Sequence, residues 1–362
     1  MFSASSYQII YLVIVTILTI VICGNYTNSH RNYSALEKGG RVGEIGFVLL
    51  LSLFIGFRPI SPVFVDMVNY SDYYDAHYGI PYVFNWHTDN ILFDNLFYSF
   101  AAWGISKEFF FLLISLIYFF CMYLACRKMF PHDSFLVYIV CLAAFSTFSY
   151  GVNGIKAGAA ASIFMLAIAY HDKIIPSLLF AIISFGFHHS MQVPVLAWII
   201  VLMFHDSRVF LLIWIICVIL AALHFTFVQE LFASLTDDTG SAYLSNINSS
   251  NNTFSLTGFR LDFIIYSSVP VIVGAYMILK QRLRSKEYNL LLSFYLLTNS
   301  VWMLCMYAEF TNRIAYLSWF IYPVVLIYPF ILIKKRHHSR NLTKIVVYGH
   351  LCFTLFMTFI YY

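Results

Sequence analysis

The chain has 362 residues, of which 61% are hydrophobic and only 10% are charged, and its formal net charge is +4. Together with a mean hydropathy of +0.78, this composition excludes a water-soluble globular domain. The length is enough for about a dozen membrane crossings, because each crossing needs roughly 20 apolar residues. We therefore predict an all-α polytopic membrane protein that forms one integral membrane domain over residues 1–362.

Twelve apolar runs predict about twelve transmembrane helices, since lipid cannot satisfy the backbone groups of a looser structure. In chain order the runs cover residues 7–23, 42–57, 108–126, 134–150, 155–170, 174–187, 190–204, 209–227, 262–280, 289–308, 312–333 and 345–361. The first run follows the uncharged stretch MFSASS, which lacks the positive start of a secretory signal, and we predict that it is retained. Only a short turn separates 174–187 from 190–204, so a re-entrant pair is the alternative to two full crossings.

The basic residues are unevenly distributed when the gaps between these runs are assigned alternately to the two sides of the membrane. One set of gaps holds 16 of the 21 Lys and Arg residues, whereas the other set holds 11 of the 17 acidic residues. The positive-inside rule makes the basic set cytoplasmic and puts both termini on the outer side. The basic residues that remain outside are Arg58, Lys107, Lys156, Arg260 and Arg313. We interpret Lys107 as an interfacial anchor and the other four as candidates for an anionic ligand site.

Two of the predicted outer segments are long, at 58–107 and 228–261. The first begins with a stretch rich in Tyr, Asp and Pro, and continues with ILFDNLFYSFAAWGIS, which is apolar enough to form an interfacial helix. The second contains a tract of Ser, Asn and Thr. The predicted cytoplasmic gaps are short, so we predict that the protein acts on its outer face.

An anionic ligand at this face is predicted by the arginines, whose planar fork binds phosphate through two hydrogen bonds. A lipid pyrophosphate in the outer leaflet would lie at the depth of these side chains. The alternative is that each basic side chain extends along the membrane interface to a lipid phosphate.

A candidate proton acceptor is His188 in the stretch GFHHSM, because histidine exchanges protons near neutral pH. Adjacent residues on a helix point about 100° apart, so only one of His188 and His189 can face a given site. The alternative is a packed or interfacial histidine.

Carboxylates and aromatic rings in the first outer segment, among them Asp66 and Tyr70, are typical of sugar-binding surfaces; a solvated acidic loop is the alternative. We find no spacing typical of a zinc site, a nucleotide-binding loop or a Ser-His-Asp triad. We therefore expect no cofactor and no metal. All seven cysteines fall within apolar runs, where they are predicted to contribute to packing.

Four stretches resemble the EpsG-type branch of the Wzy polysaccharide polymerases. They are FIGFRPISPVFVDMVNYSDYYD, GVNGIKAGAAASI, ISFGFHHSM and FTNRIAYLSWF. The second departs from the family pattern, with Lys156 where that family usually has Arg and Ala157 where it usually has Gln. Lysine keeps the positive charge but lacks the planar guanidinium group that binds phosphate through two hydrogen bonds.

The resemblance implies a GT-C-type glycosyltransferase of the bacterial inner membrane. It would join undecaprenyl-pyrophosphate-linked oligosaccharide repeat units into O-antigen, the polysaccharide of lipopolysaccharide, or a similar surface polymer, by metal-independent inverting transfer. Expected partners are the lipid-linked donor and acceptor, membrane lipid and a chain-length regulator protein, with no nucleic acid.

Under this interpretation the site residues take three roles. His188 is the catalytic base. Pyrophosphate would be bound by Arg58, Lys156, Arg260 and Arg313, and sugars by Asp66, Tyr70, Asn153, His189 and Asp262.

The main alternative is a lipid-linked oligosaccharide flippase or another secondary transporter with about twelve spans. Transport sites usually place charge near the bilayer midplane, whereas the exceptional charges here lie at the ends of runs. A membrane O-acyltransferase and a structural membrane subunit are further alternatives.

Overall fold

The computed structural model describes residues 2–26, 33–227, 229, 258–308, 311–333 and 339–361. Within those ranges every regular element is a helix, which confirms the predicted all-α class. Most of the second long segment, 228–261, lies outside the described residues.

Most of the α-helices lie at the predicted apolar runs, but the runs at 134–150 and 312–333 each contain two helices, and two further helices lie in the segment 58–107. In chain order they are α1 (Tyr7–Asn25), α2 (Tyr33–Gly56), α3 (Met67–Ala76), α4 (Ile91–Ala102), α5 (Lys107–Met129), α6 (Ser134–Leu142), α7 (Thr147–Val152), α8 (Ile155–Ala169), α9 (Ile174–Phe187), α10 (Gln192–Met203), α11 (Ser207–Ala222), α12 (Leu261–Ala275), α13 (Lys286–Leu304), α14 (Thr311–Trp319), α15 (Tyr322–Leu332) and α16 (Ser339–Phe356). Short 3₁₀ turns are formed by Ala4–Ser6, Pro62–Phe64 and His189–Met191, and π-helical turns by Tyr276–Lys280 and Met357–Tyr361.

Five helical stretches in the described part of the chain are long and apolar enough to cross a membrane. They are Ala4–Gly24, Lys107–Met129, Leu261–Lys280, Thr311–Leu332 and Asn341–Tyr361. Helices α4 and α8 to α11 are apolar but shorter. The structure thus has the character of a membrane protein, while the count of about twelve crossings and the sidedness stay predictions.

The predicted run at 134–150 is not one helix but two, because the chain turns between α6 and α7. The hydroxyl of Thr147 donates to the carbonyl oxygen of Cys141 at 2.6 Å, and the hydroxyl of Tyr118 donates to the carbonyl oxygen of Thr147 at 3.0 Å. The first bond satisfies a carbonyl in the last turn of α6, and the second joins α5 to the start of α7. Apolar composition alone carried no sign of this break.

The chain divides into two compact units, one formed by residues 1–192 and 330–362 and the other by residues 193–329. In the first unit α5 packs against α2 and α8, and α8 packs against α9. The hydroxyl of Ser115 on α5 donates to the carbonyl oxygen of Ser52 on α2 at 3.0 Å. Helix α8 is buried along nearly its whole length, so it forms the centre of this unit.

Helix α7 folds back against the first turns of α8, and Gly158 makes this contact. A Cβ at Gly158 would lie 2.5 Å from the carbonyl oxygen of Tyr150, far inside the distance at which two such atoms can pack. The chain between the two helices, at Asn153 and Gly154, is therefore held against α8.

A buried polar network connects the helices of the second unit. Nε1 of Trp214 donates to Oδ1 of Asn299 at 2.8 Å, and Nδ2 of Asn299 donates to the hydroxyl oxygens of Ser267 at 3.2 Å and Ser318 at 3.0 Å. Nε1 of Trp319 donates to the same Ser267 hydroxyl at 2.8 Å. Every polar atom of the Asn299 amide group thus has a partner, as an apolar interior requires.

Candidate functional site

Arg58 follows α2 and is almost fully buried, at 3% exposure. Its Nη1 donates to the carbonyl oxygen of Ile55 at 2.9 Å and its Nη2 to that of Val152 at 2.7 Å. Its Nε is buried and has no hydrogen-bond partner among the described residues. Burial lowers the pKa of the Arg58 guanidinium to about 9, which leaves it charged at neutral pH. Arg58 therefore holds the end of α7 and keeps one further donor.

Asn153 follows Val152 at the end of α7, and its side chain joins the turn between α7 and α8 to the start of α3. Oδ1 of Asn153 accepts a hydrogen bond from the backbone N–H of Asp66 at 3.1 Å. Asp66 begins α3 at its N-cap position, directly after Val65, whose φ of +46° is strained for a β-branched side chain. Two of the predicted sugar-binding residues, Asp66 and Asn153, are thus in direct contact, although 87 positions separate them.

Lys156 lies in the first turn of α8, three residues beyond Asn153. Its Nζ donates to Oδ1 of Asp94 at 2.8 Å, and the two side chains are 24% and 16% exposed. The same Nζ lies 5.0 Å from the ring centroid of Phe93 and 5.8 Å from that of Tyr70, distances at which a cation is attracted to an aromatic face. The predicted residues Lys156 and Tyr70 are therefore brought together.

His188 and His189 occupy the turn between α9 and α10. Nδ1 of His188 faces the backbone N–H of Ser190 at 3.2 Å and its hydroxyl at 2.7 Å. Oδ1 of Asn90 accepts the backbone N–H of His189 at 3.1 Å and lies 3.3 Å from Nδ1 of its ring. The two imidazole rings stack, with centroids 5.0 Å apart. Both histidines are partly buried.

The start of α4 connects these groups. Asn90 is the N-cap residue of α4 and holds His189, while Asp94 lies in the first turn of α4 and pairs with Lys156. The sequence-based prediction assigned no role to either Asn90 or Asp94. A polar pair in an apolar stretch was visible at Asp94 and Asn95, but their long-range partners were not.

Asn95 holds the segment that leads into α4. Its Oδ1 accepts the Tyr82 hydroxyl at 2.9 Å and the Asn85 backbone N–H at 2.7 Å. Its Nδ2 donates to the carbonyl oxygens of Asn85 at 2.8 Å and Ile91 at 2.6 Å. The nearby Trp86 is 74% exposed and its ring lies 4.7 Å from that of Phe84. This segment therefore presents aromatic faces to its surroundings.

Three predicted site residues belong to the second compact unit. Arg260 precedes α12, and its Nε and Nη2 donate to the two carboxylate oxygens of Asp262 at 2.9 and 2.6 Å. The guanidinium also lies 3.7 Å from the ring centroid of Phe263. Arg313 lies in the first turn of α14 and is exposed. Arg260 is thus neutralised by a predicted sugar-binding residue.

Two other features fall outside this set. Lys107, the predicted interfacial anchor, begins α5 and binds Asp75 and the hydroxyl of Ser71.

An open cavity of about 1420 Å³ lies within the second unit, where its lining includes Arg208, Arg282 and Lys286. The sequence-based topology makes that end cytoplasmic, so the cavity does not coincide with the predicted site. No cluster of three or more His, Cys, Asp or Glu side chains suited to a metal occurs in the described part of the chain.

Comparison with protein families gives one match. The model of the EpsG family matches residues 45–362, a range that includes the first-unit residues from Arg58 to His189 and the second-unit residues Arg260 and Arg313. No curated protein and no solved structure matches the chain.

Proposed function

The chain belongs to the EpsG family, which indicates a function like that of a membrane polysaccharide polymerase, and we propose that it joins lipid-linked oligosaccharide repeat units. The donor is a repeat unit on undecaprenyl pyrophosphate, and the acceptor is a hydroxyl at the non-reducing end of a second unit. Transfer takes place at the periplasmic face of the inner membrane and yields O-antigen or a similar surface polysaccharide.

One observation carries this proposal: a cation and a histidine are bonded to the same end of the same helix. Lys156 and His189 are bonded to Asp94 and Asn90, which lie four residues apart at the start of α4. A departing pyrophosphate requires positive charge, and an attacking hydroxyl requires a proton acceptor. Both kinds of group converge here from segments far apart in the chain.

The basic residues differ in how they can act on the pyrophosphate. Lys156 retains 24% exposure of its side chain and can exchange Asp94 for a phosphate oxygen, stabilising charge as the anomeric C–O bond breaks. Arg58 acts by holding the Asn153–Lys156 turn, with Nε as its remaining donor. Arg313 and Arg260 are proposed as further pyrophosphate ligands, which for Arg260 requires release of Asp262.

The proposed reaction is a single displacement without a metal ion. The acceptor oxygen attacks the anomeric carbon on the face opposite the pyrophosphate, so the configuration inverts. A histidine of the His188–His189 pair takes the hydroxyl proton, and the pyrophosphate leaves with the electron pair of the broken bond. Asp66, Tyr70, Asn153 and Asp262 are proposed to bind sugars; Tyr70 also lies beside Lys156.

The test uses protein reconstituted in liposomes with a lipid-pyrophosphate-linked repeat unit, and measures product length on a gel. We expect a ladder from the wild type and from Lys156→Arg, and only single repeats from Lys156→Met at equal protein level. A wild type that moves the unit across the bilayer without lengthening it would identify a flippase instead. Normal ladders from Lys156→Met would contradict the role of this cation.

A further inference from the structure

The two histidines of the α9–α10 turn carry the proton of the neutral ring on different nitrogen atoms. Nδ1 of His188 faces the backbone N–H of Ser190 at 3.2 Å. A backbone N–H can only donate, so Nδ1 of His188 accepts. The neutral ring of His188 therefore carries its proton on Nε2 and has no lone pair there.

His189 has the reverse arrangement because of Asn90. The backbone N–H of His189 donates to Oδ1 of Asn90 at 3.1 Å, which identifies that atom as the oxygen of the amide and not its nitrogen. The same oxygen lies 3.3 Å from Nδ1 of the His189 ring. Facing an acceptor, Nδ1 carries the proton, so the lone pair of the neutral ring is on Nε2.

Asn90 is well placed to impose this tautomer. It is 8% exposed, and its backbone carbonyl accepts the N–H of Asp94 at 2.8 Å, which fixes it at the start of α4. Among the residues that the structure describes, none is hydrogen-bonded to Nε2 of His189. The ring is thus oriented from one side and open to a ligand on the other.

We infer that His189, and not the predicted His188, takes the proton from the acceptor hydroxyl, and that Asn90 is the positioning residue that holds His189 in the required tautomer. This rests on the proposed function. The O–H bond of the acceptor breaks and its proton bonds to Nε2 of His189. The oxygen's electron pair forms the new glycosidic bond, and the pyrophosphate carries away the electrons of the old one. Water receives the proton after product release.

His188 has a different role under the same assignment. Its Nε2–H can donate a hydrogen bond but has no lone pair, so this nitrogen is unsuited to proton removal. Glutamine can replace such a donor but cannot take a proton. The pair of substitutions His188→Gln and His189→Gln therefore separates the two roles.

The first experiment measures the tautomers directly and does not depend on activity. The full-length protein is labelled with ¹⁵N-histidine, placed in nanodiscs at mildly alkaline pH, and the two signals are assigned with the two glutamine variants. We expect the Nδ1–H form at His189 and the Nε2–H form at His188. An Nε2–H form at His189 would overturn the inference whatever the protein catalyses.

The second experiment measures kcat and KM for chain extension. We expect His189→Gln to lower kcat by about 10²–10⁴-fold, the usual contribution of a general base, with little change in KM. His188→Gln should lower kcat far less than His189→Gln does. Asn90→Asp, which still offers an oxygen to Nδ1, should keep the tautomer and the activity, whereas Asn90→Ala should lose both.

The outcomes distinguish the inference from the proposed function. Loss of activity in His188→Gln with retention in His189→Gln would overturn the inference while polymerisation stands. A wild type that does not extend chains would refute the proposed function and with it the catalytic role, leaving only the tautomer assignment from the first experiment. If Asn90→Ala does not fold, Asn90→Asp and the NMR signals still decide the role of Asn90.

Discussion

Nη2 of Arg58 donates a 2.7 Å hydrogen bond to the backbone carbonyl oxygen of Val152, a residue 94 positions further along the chain. Val152 ends α7, and the next residues are Asn153 and Gly154, which lead to Lys156. The most buried of the predicted pyrophosphate residues is thus bonded to the turn that carries another of them. Its position explains how a residue with 3% exposure can still affect the site.

Arg58→Ala is expected to destabilise the protein because it leaves the buried carbonyl oxygen of Val152 without its donor, whereas that of Ile55 keeps the backbone N–H of residue 58 at 3.4 Å. An unsatisfied buried group costs about 1–3 kcal/mol. Arg58→Lys can reach one of the two carbonyls and should be affected less. The check is thermal unfolding in detergent, followed by thiol labelling of Cys141, a buried cysteine of the same unit. The control is Arg208→Ala, which removes an exposed arginine; equal unfolding temperatures for both alanine variants would contradict the prediction.

Gly158→Ala should disrupt the packing of α7 on α8, because the new methyl group would meet the Tyr150 carbonyl oxygen at 2.5 Å. We expect loss of chain extension together with a lower unfolding temperature. Gly349→Ala is the matched control, since a Cβ there has no atom within 4 Å and alanine favours the helix by up to about 1 kcal/mol. Activity in Gly158→Ala equal to that of the control would mean that the Asn153–Lys156 turn does not depend on this contact.

The Lys156–Asp94 pair should contribute measurably to stability because both side chains are mostly buried. Exposed ion pairs contribute about 0–1 kcal/mol, whereas groups that share a buried contact couple by about 0.5–3 kcal/mol. We expect a double-mutant cycle with Lys156→Met and Asp94→Asn to give a coupling above about 1 kcal/mol. The cycle is measured by chemical unfolding in detergent, and additive effects of the two substitutions would show that the pair is not coupled.

Asn299→Ala should destabilise the second unit by removing the centre of its polar network. The substitution leaves Nε1 of Trp214 without a partner, at about 1–3 kcal/mol for an unsatisfied buried group. It also removes the Asn299 bonds to the hydroxyl oxygens of Ser267 and Ser318. Trp214→Phe removes a single bond and should cost less. Labelling of Cys305, 3% exposed, is the measurement; faster labelling in Trp214→Phe than in Asn299→Ala would contradict this order.

Much of the fold could be predicted from the sequence, because an apolar run that lies in lipid has to form a helix to satisfy its backbone groups. Helix α5 begins and ends within three residues of the predicted run at 108–126. The same composition could not predict the break between α6 and α7. Hydrogen bonds from the side chains of Tyr118 and Thr147 accompany that break, and hydropathy does not predict them.

The sequence could point to candidate site residues where a basic residue falls on the side of the membrane on which the positive-inside rule does not expect it. It could not point to residues without such a charge. Arg58 and Lys156 were selected because basic residues are exceptional in the gaps that the topology predicts to be outside. Asn90 and Asp94 were missed because their importance comes from partners 99 and 62 positions away. A single sequence carries no signal for such pairings. The choice between His188 and His189 likewise required the partners of each ring.

The four hydrogen bonds of Asn95 have a consequence for affinity. They hold the backbone at Asn85 and Ile91, on either side of the segment that leads into α4, and so order the surroundings of Trp86 during folding. Ordering a backbone residue costs about 1–2 kcal/mol of conformational entropy. Under the proposed function, a sugar stacking on Trp86 would meet a surface that is already ordered, so this entropy would not be lost when the oligosaccharide binds.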